Sequence, residues 1–136
     1  MSKINSVKLL KILKDNKDWP IIIEGVSVID FSNSIVIPAN IPSSQLGVIP
    51  SENGYKYPSW LMELIINSKK NNNIQICIRG LDEISQDEQQ KFYGLIKYKG
   101  INGYKFPEGA QIIIPVNNLE KISKRILSLS LVYKMG

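Results

Sequence analysis

The sequence predicts an α/β fold, a three-layer αβα sandwich around a mainly parallel five-stranded sheet. Two observations lead there. Short, solid apolar runs such as Ile21–Ile23 and Ala110–Val116 have the character of strands buried on both faces. Amphipathic helical stretches alternate with these runs, and that alternation builds a parallel sheet covered by helices. The 136 residues fit one domain spanning 1–136, long enough to bury a real core.

Each element has its own signal. Val7, Leu9, Leu10, Ile12 and Leu13 among lysines make residues 5–15 an amphipathic helix, with Asn5 or Ser6 as N-cap. Trp19–Pro20 ends it, and Ile21–Ile23 follows as a buried strand. Val26, Val28 and Ile29 continue the β character, and Asp30–Asn33 look like a turn. Ile35–Ile37 is the next strand, closed by Pro38. Residues 39–57 carry Pro42, Gly47, Pro50 and Gly54 and read as a long loop, a place where function often resides. Pro58 opens a helix over Ser59–Ser68 that places Leu61, Leu64 and Ile65 on one face. Asn71–Asn73 break it.

Ile74, Ile76 and Ile78 then alternate as a strand. Ser85 with Glu88 three residues on forms a capping box, predicting a helix from Gln86 to about Lys97 that buries Phe92, Leu95 and Ile96. Asn102–Gly103 between Ile101 and Tyr104 signals a β-hairpin insertion near residues 98–106. Pro107–Glu108–Gly109 is a second turn before the strand Ala110–Val116. Asn117–Asn118 stop that strand and cap a helix over Leu119–Leu127, and Leu129–Tyr133 is the last strand.

Composition removes several chemistries. There is no histidine, and Cys77 is the single cysteine. Zinc sites of the Cys/His type, a Ser-His-Asp triad, a Cys-His dyad and an internal disulfide are therefore excluded. Cys77 alternates with Ile76 and Ile78, so it reads as an inert buried thiol. The lone cysteine and the lack of a secretory signal predict a cytoplasmic setting. No apolar run approaches the ~20 residues that cross a bilayer, so no membrane partner is expected. The net charge is +5, carried by 15 Lys and only 2 Arg. Nucleic-acid readers lean on arginine for bidentate contacts, so the lysines read first as a solvated surface.

Two positions could carry chemistry. Asp82–Glu83 follows an apolar strand, and ligands of open parallel sheets bind beyond strand C-termini. Such acids hold magnesium or orient water, or they simply favour the N-terminus of the next helix through its dipole. Arg79 and Gly80 interrupt the strand just before them. Asn117 ends another apolar strand, where its amide could orient a water or phosphate, or cap a helix. A phosphate cradle is missing from the sequence. There is no Gly-Lys dipeptide and no Gly-x-Gly-x-x-Gly, and Val26–Phe31 after Gly25 is bulky. Trp60 reads as core or groove lining. Tyr55, Tyr57, Tyr104 and Lys105 lie in loops or a hairpin and are candidates for partner contact, with Tyr104 and Lys105 expected to face solvent.

As an ordered set, these segments resemble MoxR-like AAA+ ATPases from about Pro38 to Val132, and more weakly before that. Pro58-Ser-Trp-Leu resembles a helix start of that family. Leu81-Asp-Glu-Ile looks like Walker B, and Gln89–Gln90 onward resembles the helix after it. Gly103-Tyr-Lys-Phe-Pro-Glu-Gly followed by Ile112-Ile-Ile-Pro-Val-Asn is the most specific match. The resemblance implies an AAA+/P-loop-like core, with Asp82 for magnesium, Glu83 for polarising water and Asn117 as sensor 1.

The departures shape the functional expectation. The Walker A loop and its helix look deleted, leaving Gly25–Asn33 as a short bridge. Ser130 stands about where the arginine finger should fall, and Arg125 is close but not aligned. No helical lid is expected, because the sequence stops at Gly136 soon after the last strand. Asp82, Glu83 and Asn117 are then vestigial. The expectation is a non-catalytic protein-binding or assembly component with no cofactor. Its partner would be an AAA+ subunit, a second copy or an unrelated protein. The alternative is an atypical nucleotide-binding protein or ATPase, in which Asp82 would hold the magnesium of Mg-ATP. A nucleic-acid-binding domain is the weaker alternative.

Overall fold

A computed structural model describes residues 3–25, 34–70, 73–101 and 103–136. Six strands form one parallel sheet in the order β1-β10-β2-β9-β6-β3. They are β1 (Lys3–Ile4), β2 (Ile21–Glu24), β3 (Ile35–Pro38), β6 (Ile74–Arg79), β9 (Ala110–Val116) and β10 (Leu131–Met135). Two small antiparallel hairpins stand apart: β4 (Ile49–Ser51) with β5 (Gly54–Lys56), and β7 (Gly100–Ile101) with β8 (Tyr104–Lys105). The α-helices are α1 (Ser6–Asp15), α2 (Ser59–Ser68), α3 (Gln86–Gln89), α4 (Tyr93–Tyr98) and α5 (Lys124–Leu127). The α/β class and the mainly parallel sheet are as the sequence predicts. A sixth strand, β1, joins at the edge beside β10, too short to leave a periodic signal.

The sheet separates two cores, which makes three layers. Ile21 and Ile23 of β2, Cys77 of β6 and Ile113 of β9 pack against Leu9 and Leu13 of α1. Their strand neighbours Ile22, Ile76, Ile78, Ile112 and Ile114 point the other way, with α2, α4 and α5 supplying Leu61, Leu64, Leu95, Ile96 and Ile126. Side chains of a strand alternate between faces, so a strand covered on both sides must be apolar at every position. That is why β2 and β9 read as solid runs. Gln111 is the polar exception in β9, and it is buried. Its Nε2 donates to the carbonyl oxygens of Leu13 (2.8 Å) and Asn16 (3.3 Å) at the end of α1. Those carbonyls have no partner within the helix, so one glutamine both caps α1 and ties it to the sheet.

Local signals set several boundaries. Asn5 Oδ1 accepts the Lys8 amide at 2.8 Å, and Ser85 Oγ accepts the Glu88 amide at 3.2 Å, so both caps form where the sequence places them. The Pro107 carbonyl accepts the Ala110 amide at 3.0 Å, closing the turn before β9. Trp60 is core: it is buried, its Nε1 donates to the Gln45 carbonyl at 2.8 Å, and it meets Phe106 edge-on at 6.2 Å.

Other elements differ from expectation. The stretch 39–57 is not featureless: a 3₁₀ turn at Ser43–Gln45 and the β4–β5 hairpin lie inside it. Pro50 and the exposure of β5 hide the strand signal there. The helix expected over 86–97 is tightened by a 3₁₀ turn at Gln90–Phe92 and ends at Tyr98, with Lys99 left-handed. The helix expected over 119–127 is two pieces, a 3₁₀ turn at Leu119–Lys121 and the single turn α5. The last strand starts two residues later than expected, at Leu131. The β character of Val26, Val28 and Ile29, the Asp30–Asn33 turn, Asn71–Asn72 and Asn102 lie outside the described residues. Among the described residues, no helix is long and apolar enough to cross a membrane.

Cys77 is fully buried and in no disulfide. Burial pushes its thiol up, and Arg79 pulls it back only in part. A high-pKa thiol behind the core is a poor nucleophile. Cys77 is therefore expected to react with an aromatic disulfide reagent only at the rate of unfolding. Stoichiometric modification of the native protein within minutes would contradict this placement.

Candidate functional site

A parallel sheet brings its strand C-termini to one edge, where α/β proteins bind ligands. Here that edge is formed by Glu24 at the end of β2, Val116 at the end of β9 and Arg79 at the end of β6. Gly80 turns the chain with φ 85° into a 3₁₀ turn, Leu81–Glu83, that carries the two acids. A side chain at Gly80 would be strained in that left-handed conformation, and its Cβ would lie 3.0 Å from Glu83 Oε2.

The geometry of the edge is set by backbone amides that need acceptors. Beyond Val116 the chain leaves the ladder, and its amides lose strand partners. Asp82 Oδ2 accepts the amides of Asn117 (2.7 Å) and Asn118 (3.0 Å). Glu24 Oε2 accepts the amide of Leu119 at 2.9 Å. Three successive amides are thus met by two carboxylates. Asn118 Oδ1 then accepts the Glu120 amide at 3.0 Å and caps the following 3₁₀ turn.

Gln89 completes the arrangement. It is fully buried. Its Nε2 lies 3.1 Å from the Leu81 carbonyl, 3.3 Å from that of Ile84 and 2.8 Å from that of Lys121. Its Oε1 accepts the Ser123 amide at 2.7 Å. One side chain therefore holds the acid-bearing turn to the segment after β9. It also explains the broken helix over 119–127: the backbone at Lys121 and Ser123 bonds to Gln89 rather than within a helix.

Asp82 and Asn117 are accordingly neighbours, but the contact uses the Asn117 backbone amide. Residue Asn117 itself is exposed, as is Glu83, while Asp82 is 8% exposed. Among the described residues, no cluster of three or more Cys, Asp or Glu side chains is arranged to hold a metal ion. Arg125 stacks over the Tyr93 ring at 4.2 Å and donates to Gln90 Oε1 at 3.3 Å. Ser130 Oγ donates to the Ile126 carbonyl at 3.0 Å. The partner-contact candidates divide. Tyr55 and Tyr57 are exposed and so is Lys105, but Tyr104 is half-buried against the core beside Phe106. The expectation of a solvent-facing Tyr104 is corrected, because the short hairpin lies down on the domain.

Sequence reasoning missed Glu24 and Gln89. Both left a signal. Glu24 ends an apolar run as Asp82 follows one, and Gln89 falls on the buried stripe that Phe92 and Ile96 continue at helical spacing. The chain matches no protein-family model, and no curated protein matches it significantly.

Electrostatics reinforce the edge. The Leu119 amide holds the Glu24 carboxyl below its ordinary value of 4.5, against the opposing effect of burial, and Lys134 at 3.1 Å adds to the lowering. A carboxyl lowered on folding stabilises the fold above its unfolded pKa and loses that effect as pH falls through the folded value. In urea titrations, wild type is therefore expected to exceed Glu24→Gln in stability at pH 7, with the gap narrowing once pH drops below 4.5. A gap independent of pH would show that the carboxylate charge does not matter. Gln89→Leu keeps the volume but strands buried backbone groups, and is expected to cost about 1–3 kcal/mol in the same assay.

Proposed function

We propose that this chain is an AAA+-like domain that does not hydrolyse ATP and serves as a protein-binding or assembly component. The observation that carries the reading is the commitment of Asp82 and Glu24 to the amides of residues 117–119. In a phosphoryl-transfer site, carboxylates hold magnesium and water while backbone amides and a lysine cradle phosphates. Here Asp82 and Glu24 are spent on the protein's own backbone. Both hydrogen bonds to Asp82 fall on one oxygen, Oδ2, and a cation there would compete with two amides. The segment after Gly25 contains no lysine up to Asn33 and no glycine, so the sequence offers no phosphate cradle. These contacts argue against a magnesium nucleotide at this edge.

What remains is a scaffold with exposed aromatic side chains. Tyr55 is 73% and Tyr98 68% exposed, and exposed aromatics favour interaction surfaces over solvated ones. The partner is an AAA+ subunit, a second copy or an unrelated protein. Placement of the acids at the sheet's C-terminal edge favours the second reading, an atypical nucleotide site, and one titration separates the two. A fluorescent ATP analogue with magnesium is expected to show no saturable binding through the millimolar range. Micromolar binding that Asp82→Asn abolishes, with the variant's circular dichroism unchanged, would overturn the non-catalytic reading.

A further inference from the structure

A groove of about 700 Å³ lies between α4, the β7–β8 hairpin and the Leu46–Gly47 bend. Its walls are largely apolar: Leu46, Leu95 and Ile101, with the rings of Tyr98 and Tyr104. The three glycines that line it differ in what the fold asks of them. Gly100 is required, because a Cβ there would lie 2.9 Å from the Tyr104 carbonyl oxygen and 3.1 Å from Lys105 Cα. Gly47 and Gly94 are not required. A Cβ at either position meets no heavy atom within 4 Å, and neither has a positive φ.

Gly94 is the more telling of the two. It stands inside the helical run from Gln86 to Tyr98, where glycine is a poor residue and alanine would fit without strain. The domain thus keeps one wall of the groove bare at a cost to its own helix, and no internal contact compensates. Bare backbone on a groove wall lets another chain approach closely.

The lining also states what would approach. It holds two cations, Lys91 and Lys105, and no acid. Lys91 is fixed in place, its Nζ donating to the Ile41 carbonyl at 2.6 Å, while Lys105 stands exposed on the rim. Two lysines without an arginine are few for a nucleic-acid track, whose affinity rises with each phosphate neutralised. Apolar walls with a cationic rim suit a peptide instead. We infer that this groove docks an acidic peptide segment of a partner protein, anchored by an apolar or aromatic side chain. The inference rests on the protein-binding reading above and gives it a surface.

The test uses the full chain. A displayed library of short random peptides is selected on wild type, and the winners are measured by fluorescence anisotropy. The expected winners are acidic with an apolar or aromatic anchor. Their binding weakens with salt and falls at least about tenfold in Gly94→Arg and in Lys105→Glu, as truncating a central contact does. Val7→Ser, exposed on α1 across the sheet, leaves it unchanged. Gly94→Ala is expected to raise the melting temperature by a few degrees, which confirms that the glycine serves no internal purpose. Gly47→Arg blocks the opposite wall and replaces Gly94→Arg should that variant fail to fold.

Several results would overturn the inference: no winners, winners without acidic bias, or winners indifferent to the groove variants. A groove-dependent affinity for single-stranded DNA or RNA would overturn it too, as would a dimer in light scattering that Gly94→Arg dissociates. Winners that bind elsewhere would sink the groove while leaving the protein-binding reading intact. Saturable Mg-ATP binding lost in Asp82→Asn would sink that reading while leaving the groove result standing.

Discussion

Two carboxylates accepting three successive amides hold the C-terminal edge of the sheet together. The chain leaves β9 at Val116, and the amides of Asn117, Asn118 and Leu119 then have no strand to bond. Buried or half-buried amides without acceptors are costly, and charged acceptors are the strongest available. Asp82 reaches them from the turn after β6 and Glu24 from the end of β2. Because β9 lies between β2 and β6, the two acids approach it from opposite sides. The path of residues 117–123 follows from this clamp and from Gln89 beyond it.

The rest of the fold is organised around the sheet that presents this clamp. One face is covered by α1 and the other by α2, α4 and α5. Apolar burial supplies the bulk of the driving force, but it is non-directional. Direction comes from a few buried polar side chains. Gln111 fixes the end of α1 to β9, and Gln89 fixes the acid turn to the segment ahead of α5. Both are glutamines on otherwise apolar stripes, and both have their hydrogen bonds satisfied. A buried amide with its partners in place specifies one arrangement, whereas an apolar side chain there would tolerate several.

The same acids illustrate how function and structure compete for a residue. A carboxylate at the end of a parallel strand is well placed for a metal or a water. It is equally well placed to cap the amides of the next strand's exit. Sequence spacing leaves both uses open. Burial of Asp82 and the paired contacts on its Oδ2 favour the second use, and the features that packing leaves unexplained lie on the surface instead. There Gly47 and Gly94 of the α4 groove and the exposed Tyr98 stand out, because the domain's own packing does not account for them.

Signals within a few residues of each other were legible in the amino-acid chain. The apolar runs of β2, β6 and β9, the caps at Asn5 and Ser85 and the turn at Pro107 depend only on local period and local hydrogen bonds. They determined the fold class and most of the elements. Tertiary structure alone decided the strand order, the edge strand β1, the partial burial of Tyr104 and the splitting of the helix over 119–127. It also decided what Asp82 does. These depend on partners far apart in the chain: Asp82 with Asn117 at a separation of 35, Glu24 with Leu119 at 95 and Gln111 with Leu13 at 98. A residue's chemistry is written in the sequence, but its partner is chosen only when the strands are brought side by side.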